Sequence, residues 1–271
     1  MKILIEELTS ILAQNEAYVY IRPDLRLQPY IAHYTISLSH DTSTSFLTLV
    51  PDVSGCLVMP RIDKEFTCSY WGPTTKTVIV EAQQASKEIM MFVEFRPGGA
   101  YSLFHLPLHK VSDQQIPMCD IFPVFHKKLE EAYHSSHTIQ EFIHRLNELF
   151  LSILEEKEQH HLLYLLTHIQ NNSSPASLSQ IESISGYSRR HLQRLFQEQL
   201  GTPLRTLTRI QRINQAIELM QKQIHSLTQI AHTCGYYDQA HFNHDFKQVV
   251  QLSPSQYLSK MSKYYKEPFK I

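Results

Sequence analysis

The apolar positions of this chain change their period twice. Between about residue 30 and residue 97 they fall in short runs: YIAHYTISLS, SFLTLVPD, GCLVMPRI, FTCSYWG, TKTVIVEA and EIMMFVEFRP. These runs are rich in β-branched and aromatic residues, the composition of half-buried strands. Turn signals such as His40-Asp41, Pro51-Asp52, Ile62-Asp63 and Gly72-Pro73 separate them. Six or more strands at that spacing predict a small antiparallel barrel or sandwich. Residues 1–19 read as a short amphipathic helix ahead of it. After Asp120 the period becomes helical. In TIQEFIHRLNELFLSILEEKEQ, the residues Ile139, Phe142, Ile143, Leu146, Phe150, Leu151 and Leu154 form a wide stripe. Such a stripe either packs on the barrel or pairs with a second copy. EEKEQHH marks a polar junction, and HLLYLLTHIQ predicts another helix.

From Ser177 the pattern repeats itself about 49 residues on. Ser177-Leu178-x-Gln180-Ile181 recurs as Ser226-Leu227-x-Gln229-Ile230, and Gly186-Tyr187 as Gly235-Tyr236. Leu192 and Phe196 recur as Phe242 and Phe246, with one extra residue in the second turn. Each copy reads as a helix-turn-helix, over 177–200 and 226–250. Ser-x-x-Gln is a capping box, in which hydroxyl and amide satisfy two free backbone N–H groups. Gly186 and Gly235 end the first helix, where a left-handed residue is needed. Ser188 and Asp238 suit the N-cap of the second helix. Leu192 with Phe196, and Phe242 with Phe246, share a face at i and i+4. Between the copies, Thr202-Pro203 reads as an N-cap followed by Pro at the first helical position. Leu204, Leu207, Ile210, Ile213, Ala216, Ile217 and Met220 then recur at helical spacing. About 20 residues give a rod of roughly 30 Å, close to the ~34 Å between successive major-groove faces of B-DNA.

These residues resemble a family, the AraC/XylS-type bacterial transcription regulators. The resemblance rests on Gly186-x-Ser188-x-x-x-Leu192-x-x-x-Phe196, Arg212-x-x-x-Ala216, Ile230-Ala231-x-x-x-Gly235-Tyr236, Phe242-x-x-x-Phe246-Lys247 and Ser253-Pro254-x-x-Tyr257. It covers about residues 160–262. The chain departs from the pattern at Glu182, where a small residue is usual, and at Gln251, where Gly is usual. A basic residue is common at the position of His244, and Asp245 adds a negative charge beside it. A second resemblance covers about residues 22–122. Tyr30-Ile31-x-x-Tyr34 and Phe95-Arg96-Pro97-Gly98-Gly99-Ala100 are similar to the cupin-like sensor domain of one branch of these regulators.

The expected fold is α+β. An N-terminal antiparallel cupin-like barrel with flanking helices precedes an all-α domain of two helix-turn-helix motifs on a long linker helix. The expected divisions are a sensor domain at 1–120, a helical connector with candidate dimer helices at 121–158, and a DNA-binding domain at 159–271. A chain of 271 residues suits two domains. The formal net charge of −1 hides an asymmetry: residues 160–271 hold 12 Lys and Arg against 6 Asp and Glu, and residues 1–159 hold 13 against 20. A basic C-terminal part fits a polyanionic partner, here double-stranded DNA.

Other chemistry is excluded or left open. The four cysteines have no CxxC or paired spacing, which suits reduced thiols in a cytoplasm. No apolar run reaches 18 residues, so no membrane helix is expected. A cupin-type metal site would need a His-x-His and a spaced Glu, and neither is present, so neither metal nor cofactor is expected. No nucleophile elbow, P-loop or dinucleotide fingerprint appears, so no catalytic residue is expected. The alternatives are a β-barrel enzyme and a helical interaction module that binds no DNA; the cluster Arg189, Arg190 and Arg194 disfavours the second.

On the first recognition helix Leu192, Leu195 and Phe196 face inward, which turns Arg190, Gln193, Arg194 and Gln197 outward. Arg matches guanine and Gln matches adenine in the major groove. The family resemblance implies base reading at Arg190, Gln193 and Arg194. In the second motif Gln239, Asn243 and His244 hold matching positions, beside Ala240. Arg189 and Lys247 are expected to meet phosphate. Asp245 is expected to repel phosphate unless Lys247 pairs with it. Tyr34, Trp71, Phe92 and Phe95 are candidates for an effector pocket. A small-molecule effector, a homodimer and RNA polymerase are the further partners the family resemblance implies.

Overall fold

The structure, a computed structural model, describes residues 8–14, 18–38, 46–59, 66–81, 90–154 and 178–260. Among these residues, nine strands form two antiparallel sheets. β1 (Ile11–Gln14), β2 (Tyr18–Ile21), β3 (Ile31–Ser37), β8 (Met90–Phe95), β5 (Cys56–Met59), β6 (Ser69–Trp71) and β9 (Gln115–Pro117) lie side by side in that order. β4 (Phe46–Leu49) and β7 (Val78–Glu81) pair separately. Residues 11–14 and 18–21 are thus strands, the first inside and the second beginning within the stretch 1–19 expected as a helix, of which residues 1–7 and 15–17 lie outside the described residues. All four residues of β2 are buried, with Val19 opposite Ile36 and Ile21 opposite Tyr34. Cross-strand packing of this kind outweighs a short helical period.

Strand alternation gives the large sheet two unlike faces. Val19, Ile21, Tyr34, Ile36, Val93 and Phe95 share one face by register and are all but fully buried. Against that face pack α1 (Gly99–Phe104), α2 (Met118–Ile121), α3 (Pro123–Ser135) and α4 (Ile139–Ile153), in one continuous core. Thr138 and Glu141 close a capping box at the start of α4. The α4 stripe of Ile139, Phe142, Ile143, Leu146, Leu149 and Phe150 is buried in this core, at about 1.5–3 kcal/mol for each large side chain. The stripe therefore packs on the sheet. The other face carries Tyr18, Tyr20, His33, Thr35, Ser37, Cys56, Trp71, Phe92 and Glu94.

The C-terminal part is helical: α5 (Leu178–Ser185), α6 (Arg189–Leu200), α7 (Leu204–Lys222), α8 (Leu227–Thr233), α9 (Gln239–Val250) and α10 (Pro254–Lys260). Pro203 is the N-cap of α7, one position later than the sequence pattern placed it, because its ψ of 152° is still extended. The 19 residues of α7 make a rod of roughly 28 Å. Its N-terminal half supplies Leu204, Leu207 and Ile210 to a core with Ile181, Leu192, Phe196 and Leu200. Its C-terminal half supplies Ile213, Ala216, Ile217 and Met220 to a second core with Ile230, Tyr236, Phe242, Phe246 and Tyr257. One helix thus carries two units. The expected helix at 161–170 and the first capping residue, Ser177, lie outside the described residues.

Candidate nucleic-acid interface

In unit one, Gly186 takes φ +70° and breaks the chain out of α5. No atom lies within 4 Å of where its Cβ would be, so backbone conformation alone favours glycine here. Ser188 then caps α6, its Oγ accepting from His191 N at 3.3 Å. Leu192, Phe196 and Leu200 are buried, one helical turn apart. That spacing leaves Arg190, Gln193, Arg194 and Gln197 exposed together, as the sequence pattern placed them. Arg194 Nη2 lies 3.5 Å from His191 Nδ1. Arg189 makes one exposed ion pair, 3.4 Å to Glu182 Oε2, which is weak enough to yield to a phosphate.

Unit two repeats the geometry with different chemistry. Ser226 and Gln229 form the reciprocal capping box of α8. Asp238 caps α9, accepting from His241 N at 2.7 Å. His244 and Lys247 are exposed on α9, and His244 Nε2 lies 2.7 Å from Gln248 Nε2. Gln239 is half-buried, and its Oε1 accepts from the Thr228 hydroxyl at 2.7 Å. Asn243 is also half-buried, with Oδ1 enclosed and no hydrogen-bond partner among the described residues. Two of the three predicted base readers of α9 are therefore partly turned into the fold.

Asp245 does not pair with Lys247. It accepts from Arg209 Nε of α7 at 2.6 Å and from the Tyr236 hydroxyl at 2.8 Å, with only 14% of its side chain exposed. Arg209 also donates to Gln248 Oε1 at 2.6 Å. The carboxylate is neutralised by a cation 36 residues away, so it rivets α9 to α7. Arg212 stands 4.9 Å over the Tyr236 ring, a cation–π contact that fixes the linker helix to its neighbour. Burial, and then the bond to Asp245, push the Tyr236 phenol well above its usual range.

The four effector candidates do not share a surface. Tyr34 donates to Asn147 Oδ1 of α4 at 2.9 Å, and Phe95 packs against Phe104 and Phe150, so both belong to the helix-covered core. Trp71 and Phe92 lie on the opposite face, because register places Trp71 opposite Cys56, Cys56 opposite Glu94, and Phe92 opposite Thr35. That face holds polar residues the sequence reading passed over. His33, Thr35, Ser37 and Glu94 are all at most 4% exposed. His33 Nδ1 lies 3.0 Å from Thr35 Oγ1, and its ring stands edge-on to Tyr20 at 5.3 Å. The signal was present: His33-x-Thr35-x-Ser37 puts three polar residues on one face of an otherwise apolar strand. Burial pushes the Tyr18 phenol up on the same face.

Among the described residues, no group of three or more His, Cys, Asp or Glu could hold a metal ion, and the four cysteines are free thiols. No described helix is long and apolar enough to cross a membrane.

Two capped helix-turn-helix units on one rod, with a cationic and amide-bearing face on the first, define a paired helix-turn-helix module. Comparison with known proteins agrees. A family model described as a helix-turn-helix domain matches residues 182–260, and one described as a domain of unknown function, DUF6597, matches residues 20–117. The probable transcription factor PqrA of Proteus vulgaris is 32% identical over 96 residues, covering 35% of this chain and 78% of that protein. An uncharacterized HTH-type transcriptional regulator of Haemophilus influenzae is 30% identical over 166 residues, 54% of this chain and 55% of that protein. The chain belongs to the AraC-type family of helix-turn-helix transcription regulators. It spans about half the length of the Haemophilus relative. The crystal structure of ToxT from Vibrio cholerae, 14% identical, aligns over 90% of this chain and 94% of that one with a TM-score of 0.43, a distant likeness that carries no functional weight.

Proposed function

We propose that the chain is a sequence-specific, DNA-binding transcription regulator of the cytoplasm. The observation that carries this is the open face of α6, where Arg190, Gln193, Arg194 and Gln197 stand exposed on a helix capped and held from behind. Arg bidentate to guanine and Gln bidentate to adenine each discriminate by about 1–3 kcal/mol. Arg189 and Lys247 serve as phosphate contacts. His244 reads or positions on α9, with Gln239 and Asn243 as lesser contributors. Membership in a regulator family argues against the alternatives, a β-barrel enzyme and a helical interaction module without DNA.

In this reading residues 1–120 sense, residues 121–158 connect, and residues 159–271 bind DNA. A small-molecule effector would sit against the polar sheet face, supported by the buried His33, Thr35, Ser37 and Glu94 and by the half-buried Trp71 and Phe92. Homodimerisation and contact with RNA polymerase are family-level expectations.

The test is selection of bound duplexes from a random library, followed by titration at several salt concentrations. Enrichment of one or two short motifs one helical turn apart is expected. Failure of the folded full-length chain to retain any duplex at low salt would overturn the reading. For the effector, a thermal-shift screen of small polar metabolites should give hits that Glu94→Gln abolishes; hits that shift both proteins equally would remove the polar face from the reading.

A further inference from the structure

Among the described residues, three short segments join the N-terminal part to both helix-turn-helix units, besides α1, which also lies against α6. The first is the stretch after β4. Val50 is buried in the core of unit two, and Val53, three residues on, is buried in the core of unit one. Three residues of chain span about 10 Å at most, so one segment enters two cores. The second is Thr77, just before β7, whose hydroxyl donates to Val249 O at 3.0 Å, near the C-terminal end of α9. The third is Ser112, whose hydroxyl is shared between Leu108 O at 2.9 Å and Gly201 O at 3.2 Å. Gly201 ends α6, and a Cβ there would lie 2.4 Å from Ser112 Oγ and 3.0 Å from Leu108 O. The approach is that close.

The three segments are bonded into one block. Thr74 N donates to Asp52 O at 2.7 Å, and Asp52 N donates to Thr74 Oγ1 at 2.8 Å. The Asp113 carboxylate accepts from the Thr75 N–H and hydroxyl, both at 2.7 Å, and Asp113 N donates to Pro73 O at 2.8 Å. This block grips the C-terminal ends of both recognition helices and leaves their reading faces open. Arg190, Gln193, Arg194 and Gln197 remain exposed on α6, as do Ala240, His244 and Lys247 on α9. The N-terminal residues of a recognition helix are those that enter the groove. A grip at the opposite ends can therefore aim the helices without blocking them.

We infer that Val50, Val53, Thr77 and Ser112 are positioning residues for DNA reading, resting on the DNA-binding function proposed above. The rod α7 sets the distance between the units along its length. The N-terminal block adds a second connection, which fixes the tilt of α6 and α9 relative to each other so that both enter successive grooves together. Once one unit is bound, a correctly aimed second unit binds at high effective concentration; a loosely held one does not. The same connection gives the N-terminal part a mechanical route to the recognition helices, because Val50 follows β4 and Thr77 precedes β7 of the two-stranded sheet.

The test uses the full-length chain and the variant Thr77→Val with Ser112→Ala, which removes two hydroxyl donors and leaves both cores intact. Ser112→Ala alone serves if the pair does not fold. The probes are the duplex that the wild type selects from a random library and the same duplex with either half-site scrambled. Affinity for the two-half-site duplex should fall roughly 5- to 10-fold, while affinity for each single-half-site duplex stays within about twofold. The variant should also lose less than the wild type when one base pair is inserted between the half-sites, since a looser pair tolerates wrong spacing. Equal losses on all three duplexes, or no loss on any, would overturn the positioning role while leaving DNA binding intact. A wild type that retains no duplex would instead sink the DNA-binding reading, and this inference with it.

Discussion

The two helix-turn-helix units are built on one pattern and use their polar side chains differently. Unit one has a mostly aliphatic core around Phe196, and its recognition helix keeps Arg190, Gln193, Arg194 and Gln197 exposed. Unit two has an aromatic core, in which Phe242 and Phe246 are 5.5 Å apart and Phe246 and Tyr257 5.7 Å. Its polar groups turn inward: Asp245 to Arg209 and Tyr236, and Gln239 to Thr228. Capping residues and apolar spacing decide that both units fold as they do. Which unit is equipped to read bases depends on which polar side chains the fold leaves without an internal partner. On the proposed function, that criterion assigns most of the base reading to unit one and a larger share of anchoring to unit two.

The largest effect should come from emptying the cores. Phe196 and Phe246 are both fully buried, and replacing either with Ala should cost about 3–5 kcal/mol, measured by urea unfolding. The comparison predicts different consequences for DNA. Phe246→Ala should weaken binding while the base preference of the remaining complex survives. Phe196→Ala should erase the preference. The reverse assignment would make unit two the reader.

The next effect concerns DNA alone. Arg194→Ala should relax base preference at one or two positions, at a cost of about 1–3 kcal/mol. Lys247→Ala should weaken all sequences alike and reduce the slope of affinity against salt by about one phosphate contact. Titrations against selected and scrambled duplexes separate the two. If Arg194→Ala weakens both duplexes equally, Arg194 meets phosphate and the division of labour between the units fails.

Alkali should also tell the units apart. Unit two buries Cys234, Tyr236 and Tyr257, and burial raises all three acids; the Cys234 thiol is pushed up to about 11 from 9.0. A raised pKa means that the folded state keeps a proton which the unfolded state releases first. For the Cys234 thiol the contribution is whole below pH 9 and is lost as pH climbs from about 9 to about 11, on the order of 2–3 kcal/mol, and the two phenols extend the loss to higher pH. Near-ultraviolet dichroism of the tyrosines should loosen in that window, while Arg194-dependent selectivity persists to higher pH. Loss of both at one pH would show that the units do not melt separately.

Much of this was legible because its causes are local. Gly186 and Gly235, the caps at Ser188, Ser226 and Asp238, and the i, i+4 pairs each act within a turn or two of chain, and the exposed face of α6 follows from them. What the sequence did not show depends on distant partners. Asp245 meets Arg209, 36 residues away, and no charge pattern along α9 announces it. Val50 reads as the end of a strand and Val53 as part of the turn after it, yet each completes a core more than a hundred residues on. Tyr34 and Phe95 separate from Trp71 and Phe92 because strand register decides which face a side chain takes, and a one-residue shift reverses it. The strands at 11–14 and 18–21 were missed for the same reason: their neighbours are what make them strands.

The smallest effects test how each recognition helix ends. Gly201 follows α6 with φ +71°, and Gln251 follows α9 with φ +64°. Both are left-handed, a conformation that suits glycine and costs a side chain roughly 1 kcal/mol. Gly201→Ala should destabilise by more than that, because the new Cβ would also meet Ser112 Oγ and push the N-terminal block away from α6. Gln251 bears its strain where the family pattern has Gly, and its side chain recovers one exposed bond, 3.1 Å to Gln248 O. Gln251→Gly should therefore stabilise by about 0.5–1 kcal/mol, less than the full relief because glycine has more freedom to lose. In thermal unfolding this appears as a rise of about 1–4 °C. The pair is informative together. A stabilised Gln251→Gly beside a Gly201→Ala that loses only the cost of the backbone conformation would mean that Ser112 yields without loss. The contact between the N-terminal block and α6 would then be loose, and unit one would be no more tightly held than unit two.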